Sequence, residues 1–446
     1  MKRKILSLLV LTAMVTSLIT GCSSGKKDTA DVAKTSTAAE EKTAEDSSSG
    51  NEKVTLNLVW WGNQTRNDLT QKAVELYMEK NPEVTIKTEF TDWSGYWDKV
   101  STMAAGGNLP DIMQQDYAYI NQFQGSNQLA DLTPFIENGT IDTSNISESI
   151  IDSGKIDGKL YALSLGSNAP MMVYDKATVE KAGVTIPEQP TIDQLYEIGQ
   201  TIYEKTGVKT YFDGGINMMQ IIARTTDSHL YDQLNEGKAD SSLLHFANVE
   251  KFANAEFSIS ADLLVEKNPD VVETKPIIDQ TTWNDFSFSN QFISISAAAG
   301  RDLGICEYPT TADAAAQPLY LKPSMFFSIA ETSENKEAAA KFINWFTNSE
   351  EANAILMAER GIPVNSQIAE FVKGQVDTVT AQVFDYVAKV TEIAKPIDAP
   401  NPSGSSEVEE LGKKMVETLR YGEINAEDAA NQFVTESKQI LEEAAK

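Results

Sequence analysis

Cysteine and histidine are nearly absent. The 446-residue chain holds two of each, Cys22 and Cys306, His229 and His245. Two cysteines so far apart cannot make a disulfide scaffold, so the fold must rest on a hydrophobic core, which a chain of this length can build. No His-Glu-x-x-His, Gly-x-Ser-x-Gly elbow, Walker loop or EF-hand pattern occurs, and neither a metal nor a cofactor is expected. Positive charge is also scarce. Lys and Arg number 37 against 65 acids, a net charge of −28, which argues against nucleic acid as a partner because phosphate binding needs a basic surface. With so many acids, carboxylate pairs of the kind used in glycoside hydrolysis arise by chance and carry no weight.

The longest apolar run, Ile5 to Leu18, is too short to span a membrane, and Lys2-Arg3-Lys4 precedes it. That is the pattern of a secretory signal. It ends Leu18-Ile19-Thr20-Gly21-Cys22, which resembles the bacterial lipobox, so residues 1–21 read as a lipoprotein signal peptide and Cys22 as the lipidated residue. Removing three cations and no acid from −28 leaves the mature chain at −31. Residues 22–52 read as a disordered tether: Val32 is the only large aliphatic residue there, too little apolar surface to offset the entropy of ordering.

Beyond the tether, Val54 to Trp60 alternates as a strand, Asp68 to Lys80 carries a helical stripe closed by Asn81-Pro82, and Val84 to Phe90 alternates again. Trp93, Tyr96, Trp97, Val100 and Met103 form a second helical face that leads into Gly106-Gly107. Glycine suits the left-handed end of a helix, and Pro110 prevents a restart. Ile112 to Gln115 then fits a short buried strand, in a strand–helix–strand–helix–strand order that implies a parallel sheet. Asp116, Tyr117 and Tyr119 follow its carboxyl end, where open α/β sheets bind ligands. A carboxylate beside aromatic rings suits a sugar, whose hydroxyls want charged acceptors and whose apolar faces want flat rings. Trp60 and Trp61 point to opposite faces, one to the core and the other free to face a cleft.

The fragments Trp60-Trp61-Gly62, Tyr77 to Pro82, Leu109-Pro110-Asp111-Ile112, Leu129 to Leu132, Gly158 to Ala162, Tyr174-Asp175-Lys176, Lys181 to Val184, Asn335 to Ile343 and Gly361 to Asn365 occur in order along nearly all of the mature chain. Together they resemble the family 1 extracellular solute-binding lipoproteins of bacterial carbohydrate ABC importers, in the branch for pectin- or rhamnogalacturonan-derived oligosaccharides. The resemblance implies a two-lobed periplasmic-binding-protein-like α/β fold, each lobe a mostly parallel sheet flanked by helices, with the ligand cleft between them. Lobe 1 would comprise 53–166 and 325–361, and lobe 2 would comprise 167–324 and 362–446. It implies capture of an oligosaccharide by hinge closure and delivery to ABC permease subunits, by a monomer held by lipid on the outer face of the cell membrane. A Gram-positive surface is favoured.

The expected ligand-binding residues are Trp61, Asn63, Arg66, Asp116, Tyr119, Asn168, Asp213, Trp283, Asn284, Asn290 and Arg360. Asn168 lies in the first crossing between lobes. Trp283 is the stacking residue expected from the second lobe, with Phe286 as rival, because the Gly-Lys-x-Ala-Met segment that many relatives carry is replaced here by Pro276 to Gln280. Arg66, Arg360 and Arg224 are the arginines placed to meet an acidic sugar, since arginine matches a carboxylate with two hydrogen bonds. Structural ion pairing with the abundant acids explains them equally well. Asn235-Glu236-Gly237 reads as a hairpin turn. A secreted carbohydrate-active lipoprotein enzyme, a glycosidase or lyase, is the alternative function.

Overall fold

The computed structural model describes residues 53–62, 64–269 and 271–445. Cys22, the tether and Asn63 lie outside them. The chain opens with β1 (Val54–Trp61), α1 (Gln64–Lys80), β2 (Val84–Thr91), α2 (Trp93–Ala105) and β3 (Ile112–Gln115). β1 pairs in parallel with both β2 and β3. α2 stops where Gly107 adopts φ +67°, a conformation that costs glycine nothing. The Asp111 carboxylate accepts hydrogen bonds from the Asn57 backbone at 2.8 Å and the Ser333 hydroxyl at 2.6 Å, which fixes the start of β3 against its neighbours.

Strand Phe326–Ile329 pairs antiparallel with β3, and Leu163–Ser164 pairs antiparallel with it in turn, completing a five-stranded sheet. The register sets Phe326 opposite Gln115 and Ser164 opposite Phe326. The carboxyl ends of β1 and β3 therefore share an edge with the segments that leave for the rest of the molecule.

The second sheet holds Leu303–Glu307, Pro170–Asp175 and Asn284–Phe288, and all its pairings are antiparallel. This corrects the expectation of a mostly parallel second lobe. The strand–helix rhythm of residues 54–115 does not recur; a long helical excursion separates Asp175 from Asn284. The expected hairpin near Gly237 is instead the end of helix Leu230–Glu236, whose Leu230 and Leu234 are buried one turn apart. The chain ends in helices Ser405–Arg420 and Ala426–Ala444, and the Asn425 side chain caps the second by accepting from the Asp428 N–H at 2.9 Å.

Between the sheets, Ser167–Asn168 pairs with Lys322–Pro323, and Ser167 bridges Ile362. A Cβ on Gly166 would sit 2.2 Å from the Arg360 carbonyl, so only glycine lets these segments pass. Helix Ser366–Lys373 stays on the side of the first sheet: the Ser366 N–H donates to the Asn145 carbonyl at 2.9 Å, and the Asn365 amide to Asn348 at 2.8 Å. Helix Thr378–Ile393 packs on the second, with the Tyr386 hydroxyl donating to the Pro170 carbonyl and Lys389 paired with Glu307 at 3.0 Å. The chain thus passes from the first sheet to the second after Lys373, with Arg360 to Ile362 lying against the crossing segments just before it.

A candidate ligand cleft

Two adjoining cavities lie along the junction of the two sheets. The first, of 340 Å³, is lined by Asp116 and Tyr117 from the loop after β3, and by Asn217, Gln220, Phe288, Lys322, Asp398, Asn401 and Glu409. The second, of 290 Å³, shares Asn217, Phe288 and Glu409 and adds Tyr211, Asp213, Lys275, Phe286, Gln291, Tyr308 and Lys413. Volumes near 300 Å³ lie at the small end of those found for small-molecule sites.

The backbone accounts for these positions. Asp116 follows β3 directly, and its Oδ1 accepts from the Ala118 N–H at 2.9 Å, a local turn that holds the carboxylate in place. Burial pushes its pKa up from the ordinary carboxylate value, while the Ala118 N–H and the Lys322 ammonium pull the other way. Asn217 and Gln220 share helix Ile216–Arg224, one turn apart. Phe288 ends its strand opposite Pro170, and the Lys322 ammonium sits 4.9 Å above its ring. In the second cavity the Tyr308 hydroxyl donates to Asp213, whose other oxygen accepts from the Gly215 N–H at 2.8 Å. Lys275 reaches Asp285 at 3.1 Å in an ion pair at the cavity wall, and the Ser287 hydroxyl donates to the same carboxylate at 2.7 Å. Burial raises the Asp285 pKa, opposed by Lys275. The result is a wall of aromatic faces, amides, carboxylates and ammonium groups. It can stack against flat apolar surfaces and exchange hydrogen bonds with many hydroxyls.

Of the residues expected here, Asp116 and Asp213 line the cavities. Trp283 does not. It is 0% exposed and its indole N–H donates to the Thr210 hydroxyl at 2.9 Å, so it belongs to the core. Its rival Phe286 does line the second cavity, together with Phe288. Asn284 is spent on the backbone of Tyr211, donating to its carbonyl at 2.8 Å and accepting from its N–H at 2.9 Å. Asn290 is exposed, and its neighbour Gln291 lines the cavity instead. Asn168 is buried in the strand pair of the first crossing, outside both linings.

The arginines are also bound elsewhere. Arg66 pairs with Glu359 at 2.8 Å, and Arg360 is buried against Thr70 at 2.8 Å. Burial together with the Arg66 charge lowers the Arg360 pKa to about 9. Arg224 holds Asp398 and donates to the carbonyls of Pro318 and Pro396. Trp60 is fully buried, its indole N–H donating to Asn67 at 2.9 Å, while Trp61 and Tyr119 join an aromatic cluster and line neither cavity.

The second-lobe wall was mostly missed. Phe288 lies in a run, Thr281 to Gln291, that mixes aromatic and polar residues, and Asn217 and Gln220 lie three apart on one helix. Lys275, Tyr308, Lys322, Glu409 and Lys413 carry no local signal, because chain positions far apart bring them together.

A polar, aromatic-lined cleft between two α/β lobes defines a protein built to enclose a small molecule. Residues 61–353 match the model of the family of bacterial extracellular solute-binding proteins, and the chain belongs to that family. It is 29% identical over 212 residues to the arabinooligosaccharide-binding protein of Bacillus subtilis, an alignment covering 46% of this chain and 43% of that one. It is 22% identical to the maltooligosaccharide ABC transporter solute-binding lipoprotein of Streptococcus pneumoniae, over 82% of this chain and 84% of that one. A family 1 extracellular solute-binding protein from Alicyclobacillus acidocaldarius superposes with a TM-score of 0.80 at 28% identity, covering 87% of this chain and 99% of the other. The periplasmic oligogalacturonide-binding protein of Yersinia enterocolitica shares the fold at a TM-score of 0.72 and 19% identity, over 88% of this chain and 100% of that one.

Proposed function

We propose that this protein captures an oligosaccharide between its lobes and hands it to the permease of an ABC importer. The observation that carries this reading is one cavity lined by Asp116 and Tyr117 from the first lobe and by Asn217, Gln220 and Phe288 from the second. A ligand touching both walls favours the closed arrangement by its differential affinity for it. The relatives that bind arabino- and maltooligosaccharides support a sugar as the ligand. The protein acts by binding, and it returns its ligand chemically unchanged. It works as a monomer tethered by lipid on Cys22 to the outer face of the membrane, and two or more acyl chains suffice for stable anchoring. Cys22→Ser should release it into the medium.

The shared fold of an oligogalacturonide binder and the pectin-branch resemblance keep uronate-containing chains among the candidates. Such recognition would fall to Lys275, Lys322 and Lys413, the cations that line the cavities, rather than to arginine. A thermal-shift panel of arabino-, malto- and galacturonate oligosaccharides tests the proposal, since a ligand that binds only the folded state raises the melting point. A shift with at least one sugar, recovered intact afterwards, is expected. No shift with any of them, or sugar recovered as fragments, would contradict it.

A further inference from the structure

Outside the two cavities, one aromatic side chain of the first lobe stands out among the described residues for its exposure. Trp93, the first residue of α2, is 45% exposed, whereas Phe90, 37% exposed near the end of β2, packs separately on Trp60 at 5.2 Å. Asp92 fixes Trp93 there: its carboxylate caps α2 by accepting from the Gly95 N–H at 2.8 Å. Behind Trp93 stand Trp61 at 4.9 Å, edge to face, and Trp97 at 5.4 Å. Tyr119 lies 6.2 Å from Trp93 and stacks on Trp97 at 3.9 Å. A core needs its largest rings covered, yet here an indole is left in water on a rigid base of other rings. An indole held in this way presents a pre-set flat face to a partner.

Its location says what covers it. Trp61 ends β1, Trp93 follows β2 and Tyr119 follows β3, so the cluster stands on the carboxyl edge of three parallel strands. That is the edge from which Asp116 and Tyr117 enter the cleft, and Tyr119 is two residues beyond Tyr117. The cluster shares that edge with the cleft wall, and its exposed member is a flat indole of the kind that stacks on a sugar ring.

We infer that Trp93, on its base of Trp61, Trp97 and Tyr119, is an outer subsite that takes a further ring of a bound oligosaccharide, so that the protein selects chain length. The inference rests on the function proposed above. The two cavities hold the first rings, and chains long enough to leave the cleft gain a stacking surface at its rim. An aromatic contact of ordinary strength corresponds to roughly three- to tenfold in affinity.

Calorimetric titration of the native mature chain, Trp93→Ala and Trp93→Phe with arabino-, malto- and galacturonate oligosaccharides of increasing length tests this. In the native chain, affinity should rise with length within the series that binds. Trp93→Ala should remove that rise, weakening the long members roughly three- to tenfold, and leave the shortest bound member unchanged. Trp93→Phe should keep most of the gain. Equal affinities of native and Trp93→Ala for every length, with sugar bound, would overturn the outer subsite alone. Absence of binding to any series by the native chain would overturn the proposed function and the subsite with it.

Discussion

The Tyr117 hydroxyl donates to the backbone carbonyl of Asp398, joining the loop after β3 to the segment between helices Thr378–Ile393 and Ser405–Arg420. The Asp398 carboxylate is held in turn by Arg224 and lies 2.8 Å from His229 Nδ1. Tyr117 and Asp398 both line the first cavity, so this bond crosses the cleft at the place where a ligand would sit. Tyr117→Phe keeps the ring and removes the bond, which contributes about 0.5–1.5 kcal/mol. Ligand dissociation followed by stopped-flow fluorescence should accelerate roughly two- to tenfold. An unchanged dissociation rate would show that the bond does not help hold the cleft shut.

Burying the Asp116 carboxylate carries a stability cost. Its folded pKa is raised by burial, so the folded protein binds this proton more tightly than the unfolded chain does. The cost is present above the raised pKa and disappears as pH falls through it. Asp116→Asn should therefore melt modestly higher than the native chain at neutral pH, with the gap closing in acid. The same change removes a charge-assisted acceptor worth about 1.5–3 kcal/mol, weakening sugar binding roughly ten- to hundredfold. Scanning calorimetry across pH and a binding titration read the two effects separately.

His245 gives the opposite slope. Its Nε2–H donates to the Gly214 carbonyl at 3.0 Å, and burial drops the imidazole pKa to about 4. The unfolded chain takes up this proton near pH 6.5 and the folded one only near 4, so stability falls through that window, by up to about 3 kcal/mol from this residue. His245→Gln should flatten the loss of denaturation free energy between pH 6.5 and 4. A native-like slope in the variant would assign the acid sensitivity elsewhere.

Trp283 should behave as a core residue. Trp283→Ala removes a fully buried indole and leaves the Thr210 hydroxyl without its donor, for a loss of about 3–5 kcal/mol in denaturant unfolding. The fraction that remains folded should bind sugar with near-native affinity. Ligand affinity lost in parallel with stability in the folded fraction would return Trp283 to the cleft.

The first lobe was legible because its signals are local. Alternation marked β1 and β2, Gly106-Gly107 and Pro110 punctuated the chain before β3, and Asp116 followed at once. The second-lobe wall was not. Asn284 has the right chemistry for a sugar, but only the path of residues 210–211 shows that its amide is already bonded. Arg66 and Arg360 stand near Trp61 and Gln114, but their polar groups meet Glu359 and Thr70, far away in sequence. The antiparallel second sheet was hidden for the same reason, since its neighbouring strands are separated by helices that give no hint of strand direction.

The central claim is that one sugar-binding cleft is built from both lobes, with Asp116 on one side and Asn217 on the other. Isothermal titration of the native mature chain, Asp116→Ala and Asn217→Ala with the oligosaccharide giving the largest thermal shift tests it most directly. The account predicts one site per native chain and affinity weakened roughly tenfold or more in each variant. Native affinity retained in both variants would contradict it.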